Sequence, residues 1–194
     1  MSQKGLNFSF VLMALCFAML QTFAQNDVTY VTGSSKKIDQ MVGDFDKQFN
    51  RPTQNQTWTR YQIPNTDLGV PFQHNGRTYV AFGDIFLDDR DPLAYTTDTN
   101  PEDGISLTFN TNPNGTFRPV QIPGVNLGGL GVPIEGVSWN NNMYLYASNA
   151  GMVNTVLAKS TDNGFTFTNL YDFSNSKFIN VNVIKIKSTA AYPE

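Results

Sequence analysis

The stretch "GVPFQHNGRTYVAFG" occupies residues 69–83, and "GVPIEGVSWNNNMYLYAS" occupies residues 131–148. Each opens on Gly-Val-Pro, continues as a β-type run, turns at Asn-rich residues and returns through an aromatic strand, the two copies being offset by 62 residues. A repeat of roughly that size holds four strands with their loops. Around these hairpins, further β-type runs at 57–63, 105–109, 116–122, 154–160, 165–171 and 178–187 alternate with turn residues, and no stretch of helical period competes with them. Many short strands at close spacing imply an all-β fold: a sandwich, a barrel or a propeller.

Residues 160–167, "STDNGFTF", narrow the choice. Asp162 can accept hydrogen bonds from nearby backbone amides, Gly164 supplies a positive φ and Phe167 packs the returning strand. The pattern resembles the Asp-box of sialidase-like propellers, Ser-x-Asp-x-Gly-x-Thr-Trp, although an ordinary Asx-turn hairpin has the same local logic. It marks a turn and a fold, with no catalytic role. With the repeat, it favours β-propeller blades. Residues 57–194 hold only two to three, whereas closure needs about four or more; the chain is expected to be an incomplete copy.

The ends and composition bound the kind of molecule. Residues 8–20, "FSFVLMALCFAML", follow a segment carrying Lys4 and no acid, and "TFA" at 22–24 supplies a cleavage site. This predicts a signal peptide over 1–24, a polar lead-in over 25–56 and an exported chain with no stable membrane anchor after cleavage. Lipid attachment at Cys16 is disfavoured by the bulky Leu15 before it. Cys16 is the only cysteine, so the exported protein is expected to hold its fold without disulfides. Removal of Lys4 leaves 12 basic residues against 16 acids, a charge of −4, which argues against nucleic acid or anionic lipid as a partner.

Asn75-Gly76 is a tight-hairpin signal, because a type I′ turn requires positive φ at both central residues. The register that pairs His74 with Arg77 also pairs Asp67 with Asp84, at a non-hydrogen-bonded position where Cα atoms lie about 4.5 Å apart. Two charged carboxylates directly opposite repel. One must take a proton, or a cation or sugar hydroxyls must bridge them. Partial burial and repulsion would separate their proton affinities, giving the neutral acid and anionic partner that glycoside hydrolysis uses. The local alternative is that Asp67 caps a turn and Asp84 accepts backbone amides.

"NTDLGVPFQHNGRTYVAFGD", residues 65–84, resembles the N-terminal signature of domain-of-unknown-function family 4185: Thr-Asp-Leu-Gly-(Ile/Val)-Pro-Phe, an Asn-Gly turn and an aromatic strand ending in Phe-Gly-Asp-Thr. That family is similar to five-bladed propeller glycosidases, some members being endo-D-arabinanases. The resemblance implies a secreted glycoside hydrolase acting on a polysaccharide, with Asp67 and Asp84 as its catalytic carboxylates and no cofactor. Two residues depart from the pattern. Ile85 replaces the usual Thr, and Glu135 stands where a small residue is expected, either as a third acid of the cleft or as a solvated strand-end charge. The alternative function is a non-catalytic propeller that binds glycan or protein at the cell surface.

Other candidates carry less. His74, the only histidine, flanks the turn and reads as a surface residue. Asp88, Asp89 and Asp91 read as a solvated loop with Arg90 as counter-charge, a calcium site being the sharper alternative. Trp58, Tyr61, Tyr95 and Trp139 suit either sugar stacking or a core. No phosphate-binding Gly loop, zinc spacing or Ser/Cys nucleophile signature is present.

Overall fold

The Asn75-Gly76 turn forms as its residue types demand, with φ of 47° and 73°. It joins β3 (Leu68–His74) to β4 (Arg77–Phe82), paired from His74↔Arg77 back to Val70↔Ala81. The computed structural model describes residues 29–86, 89–175 and 179–184; the expected signal peptide and part of the 178–187 run lie outside them. The chain divides into two units, Met1–Lys37 and Ile38–Glu194. In the first, residues 29–37 carry one turn, where the Ser34 N–H donates to the Val31 carbonyl (3.0 Å).

The second unit is all-β. Two short strands, β1 (Phe45–Asp46) and β2 (Arg51–Pro52), pair with each other. One four-stranded antiparallel sheet runs β3-β4-β5-β6, with β5 Leu93–Thr96 and β6 Thr108–Phe109. Another comprises β7 (Pro133–Trp139), β8 (Asn142–Ser148), β9 (Thr155–Ser160) and β10 (Thr168–Ser174), again in chain order. Asn140 and Asn141, with φ of 46° and 61°, turn β7 into β8 as Asn-Gly turns β3 into β4. These matching turns lie 65 residues apart. The Gly-Val-Pro echo at 62 is therefore out of step: Pro71 sits inside β3, whereas Pro133 begins β7. No helix among the described residues is long and apolar enough to cross a membrane.

Three expected strands fail, one of them residues 116–122, which make only isolated bridges at Phe117 and Pro119. Residues 57–61 form a helix, α1 (Thr57–Tyr61), because Asp44 supplies what its amino end lacks: Oδ1 accepts from the Trp58 N–H (2.8 Å) and Oδ2 from the Thr59 N–H (3.1 Å). Thr57 Oγ1 accepts from the Gly43 N–H (2.8 Å) and donates to the Ile63 carbonyl (2.7 Å), so the chain around Gly43 is tied to the helix. The described residues 179–184 form no strand.

One core lies between the sheets. Phe72, Tyr79, Ala81 and Leu93 of the first meet Met143, Leu145, Ala147, Val156 and Ala158 of the second. The other face of the first sheet, with Val80, Phe82, Ala94 and Phe109, packs on Tyr61, Ile63, Ile85, Leu107 and Phe117. Where β3 meets β7, the Phe72 ring lies against bare backbone, and a Cβ on Gly136 would come within 2.2 Å of it. Gly136→Ala is expected to cost roughly 1–3 kcal/mol, as overpacking does, read as a lower urea midpoint at unchanged m-value.

The 160–167 segment ties the sheets together. Ser160 Oγ accepts from the Gly164 N–H (2.8 Å), and Asp162 Oδ1 accepts from the N–H groups of Phe165 (3.1 Å) and Thr166 (2.9 Å). Burial raises the Asp162 pKa, but these bonds and those from the Thr166 and Ser160 hydroxyls outweigh it and hold the carboxyl below its ordinary value. From the first sheet, Asn75 Nδ2 donates to Asn163 Oδ1 (2.9 Å) and Asn110 Nδ2 to the Gly164 carbonyl (3.1 Å).

Candidate functional site

Asp67 enters the structure through a distortion. Leu68 and Gly69 both have positive φ, 57° and 107°. The ladder slips there, from Val70↔Ala81 to Leu68↔Phe82. The direct pairing of Asp67 with Asp84 expected from the hairpin is therefore lost by one residue: the Asp67 carbonyl accepts from the Gly83 N–H (3.1 Å). A bulge inserts one unpaired residue and re-aims its neighbours. Here it lays the Asp67 carboxylate across Gly83, with Oδ1 at 2.3 Å from where a Cβ would stand.

The two acids still share an opening. Asp67 and Asp84 line one open pocket of about 680 Å³ with Asn65, Thr66, Ile85, Phe86 and Asp89. Thr66 Oγ1 donates to the Gly83 carbonyl (2.5 Å) and the Phe86 N–H donates to Asn65 Oδ1 (2.9 Å), binding the two rims. Phe86, 70 % exposed, offers the pocket a bare ring that the sequence reading did not single out.

Gly83→Ala tests this arrangement. A methyl there would overlap Asp67 Oδ1 and approach Leu68 Cδ1 to 2.9 Å. Leu68 is exposed and can yield, whereas Asp67 must leave its place. If Asp67 takes part in catalysis, the turnover of Gly83→Ala should fall about 10²-fold, the effect of misplacing a reacting group by an ångström, while its far-UV circular dichroism stays native.

A further acid underlies the pair. Asp91 is 0 % exposed, and neither of its carboxyl oxygens has a hydrogen-bond partner among the described residues. Burial, then the nearby Asp84, Asp67 and Asp89, push its pKa up to about 9. Asp84 is also raised, by burial first and then by Asp89 and Asp67, against a lowering hydrogen bond from the Leu130 backbone. Like charge nearby opposes ionisation of both Asp84 and Asp91.

The reading of this loop as solvated holds at Asp89 and Arg90, which are exposed, and fails at Asp91. The Asp91 carbonyl accepts from the Val120 N–H (2.8 Å), and the guanidinium of the neighbouring Arg90 lies over the Phe117 ring (4.7 Å). Asp88 lies outside the described residues. The signal available in sequence was position: Asp91 directly precedes Pro92 and the buried strand β5. Among the described residues, no group of three or more His, Cys, Asp or Glu side chains is placed to hold a metal ion.

Glu135 is not brought to this pocket. It lines a separate groove with Pro71, His74 and Ser138, and its Oε1 accepts from the Gly136 N–H (2.9 Å). His74 is 2 % exposed, not a surface residue: its Nδ1 lies 2.7 Å from Ser138 Oγ, across the two sheets. Burial lowers its pKa, against a hydrogen bond with Asn163 that raises it. Tyr61 is core, Trp58 and Trp139 are exposed, and Arg77 covers the Tyr95 ring (4.3 Å); none lines the acid pocket. No family model and no curated protein matches the chain.

Proposed function

We propose that this protein is a secreted glycoside hydrolase built on a five-bladed β-propeller, its two four-stranded sheets being neighbouring blades. Consecutive meanders packed through their first strands, β3 and β7, support that architecture. So does the Asp-box-like turn. The observation that carries the chemistry is the pairing of Asp67 with Asp84 in one open pocket, where burial and the surrounding acids favour the protonated form of Asp84.

In this reading Asp84 is the general acid. It gives its proton to the glycosidic oxygen as the bond from that oxygen to the anomeric carbon breaks. Asp67, ionised, either attacks the anomeric carbon or takes a proton from the water that does. Phe86 offers a flat apolar surface on which a sugar face can rest. The resemblance of residues 65–84 to family 4185 points to a furanose-rich polysaccharide, D-arabinan foremost, and the leader-like residues 1–24 support export.

The test is release of reducing ends from D-arabinan, L-arabinan and a panel of other polysaccharides by the full chain. Cleavage of an arabinan, with shortening of internal chains, is expected. A chain that binds these polymers but releases no product from any of them ends the hydrolase reading in favour of a glycan-binding propeller.

A further inference from the structure

Asp91 has no part in the chemistry just described, yet a fully buried carboxyl whose two oxygens lack partners among the described residues is costly to keep. Its surroundings say why ionisation is the problem. Asp67 and Asp84 approach from the ends of β3 and β4, and Asp89 from its own loop. Two guanidiniums lie on the neighbouring pocket that Asp91 also lines, but each is engaged with a ring: Arg90 over Phe117 and Arg118 over Phe165 (4.5 Å), the latter also donating to the Phe165 carbonyl (3.1 Å). No donor among the described residues meets an ionised Asp91. To carry a charge it must reach water.

The backbone around it cannot give way without disturbing Asp84. The Asp91 carbonyl holds the Val120 N–H, and the next carbonyl, that of Pro92, holds the Phe82 N–H (3.0 Å), two residues before Asp84. We propose that Asp91 is a positioning residue of the carboxylate pocket: a buried neutral acid that keeps the β4 end closed on Asp84, and whose ionisation opens that end and shuts the site on the alkaline side. This deepens the hydrolase reading and rests on it for the word "site", but the opening itself is a property of the chain.

Amide hydrogen exchange on the full chain, followed by NMR from pH 5 to 10, tests it. In the open state Asp91 titrates near its ordinary value, and in the closed state near 9. Protection of the Phe82 and Val120 amides is therefore expected to fall by up to about tenfold per pH unit and to level off above about 9. Asp91→Asn should make that protection independent of pH. Asp84→Asn, a variant that keeps Asp91 but removes a neighbouring charge, should move the levelling-off point to lower pH. Protection that is flat with pH in the natural chain overturns the proposal, as does a slope unchanged in Asp91→Asn, or loss at Val120 with none at Phe82. Protection restored by millimolar calcium at pH 9 also overturns it, since the acids would then take a cation in place of a proton. For hydrolysis, the alkaline limb is expected to steepen from a slope of −1 to −2 in the natural chain and to stay at −1 in Asp91→Asn; equal limbs overturn the link to the site. No hydrolysis at all removes the glycosidase reading and leaves the exchange data to judge Asp91.

Discussion

Asp84→Asn is expected to lower polysaccharide hydrolysis by about 10²- to 10⁴-fold, the usual contribution of a positioned general acid or base. The amide matches the shape of the protonated carboxyl and keeps the neutral state that burial and the neighbouring acids favour, so the variant should fold as the natural chain does. What it lacks is a proton to give. A leaving group that needs none should recover much of the rate: on an aryl furanoside with an acidic phenol, Asp84→Asn is expected to approach the natural chain, whereas Asp67→Asn stays slow. The pH dependence follows the same assignment. A donor must be protonated, so activity is lost as pH rises through the Asp84 pKa, which lies above the ordinary carboxylate value. Rates on natural polysaccharide equal within twofold for the natural chain and Asp84→Asn would remove Asp84 from the mechanism.

Local chemistry was legible in the sequence where one residue type has one job. Asn75-Gly76 turns because both positions tolerate positive φ, and Asp162 organises its loop because its carboxylate reaches the amides that follow. Long-range consequences were less legible. The ladder of β3 and β4 extrapolates correctly from the turn back to Val70 and then slips, since nothing in "DLG" announces that Leu68, a residue ill suited to positive φ, will adopt it. Residues 57–61 look like a strand by composition but form a helix because Asp44, thirteen residues earlier, meets their amides. His74 and Asp91 were misread for one reason: polarity suggests solvent, while both side chains are buried, His74 against Ser138 of β7 and Asp91 where its own carbonyl accepts from the Val120 N–H. The two candidate carboxylates were found by pattern and meet in one pocket, though through a bulge, not through the register that suggested them.

Asp91→Asn is expected to reverse sign in its effect on stability as pH rises. The carboxyl titrates near 9 in the folded chain and near 3.9 when unfolded. Between those values the folded state binds a proton that the unfolded state does not, so this group's contribution is fully present in acid and lost on raising the pH, at about 1.4 kcal/mol per pH unit. From pH 4 to 7 that loss is on the order of 4 kcal/mol. Asn carries no such slope, but it buries an amide where no partner waits, a penalty of about 1–3 kcal/mol. The natural chain should therefore be the more stable of the two near pH 4 and the less stable at pH 7 and above, with the curves crossing between. Asp84, raised in the same direction, and His74, whose lowered pKa weakens the fold in acid, act on both chains alike and leave the difference intact. Urea unfolding at pH 4, 5.5, 7 and 8.5 measures it. Parallel stability curves would mean that Asp91 is ionised at neutral pH and finds a partner for its charge, and the buried acid could then no longer be the group that closes the pocket.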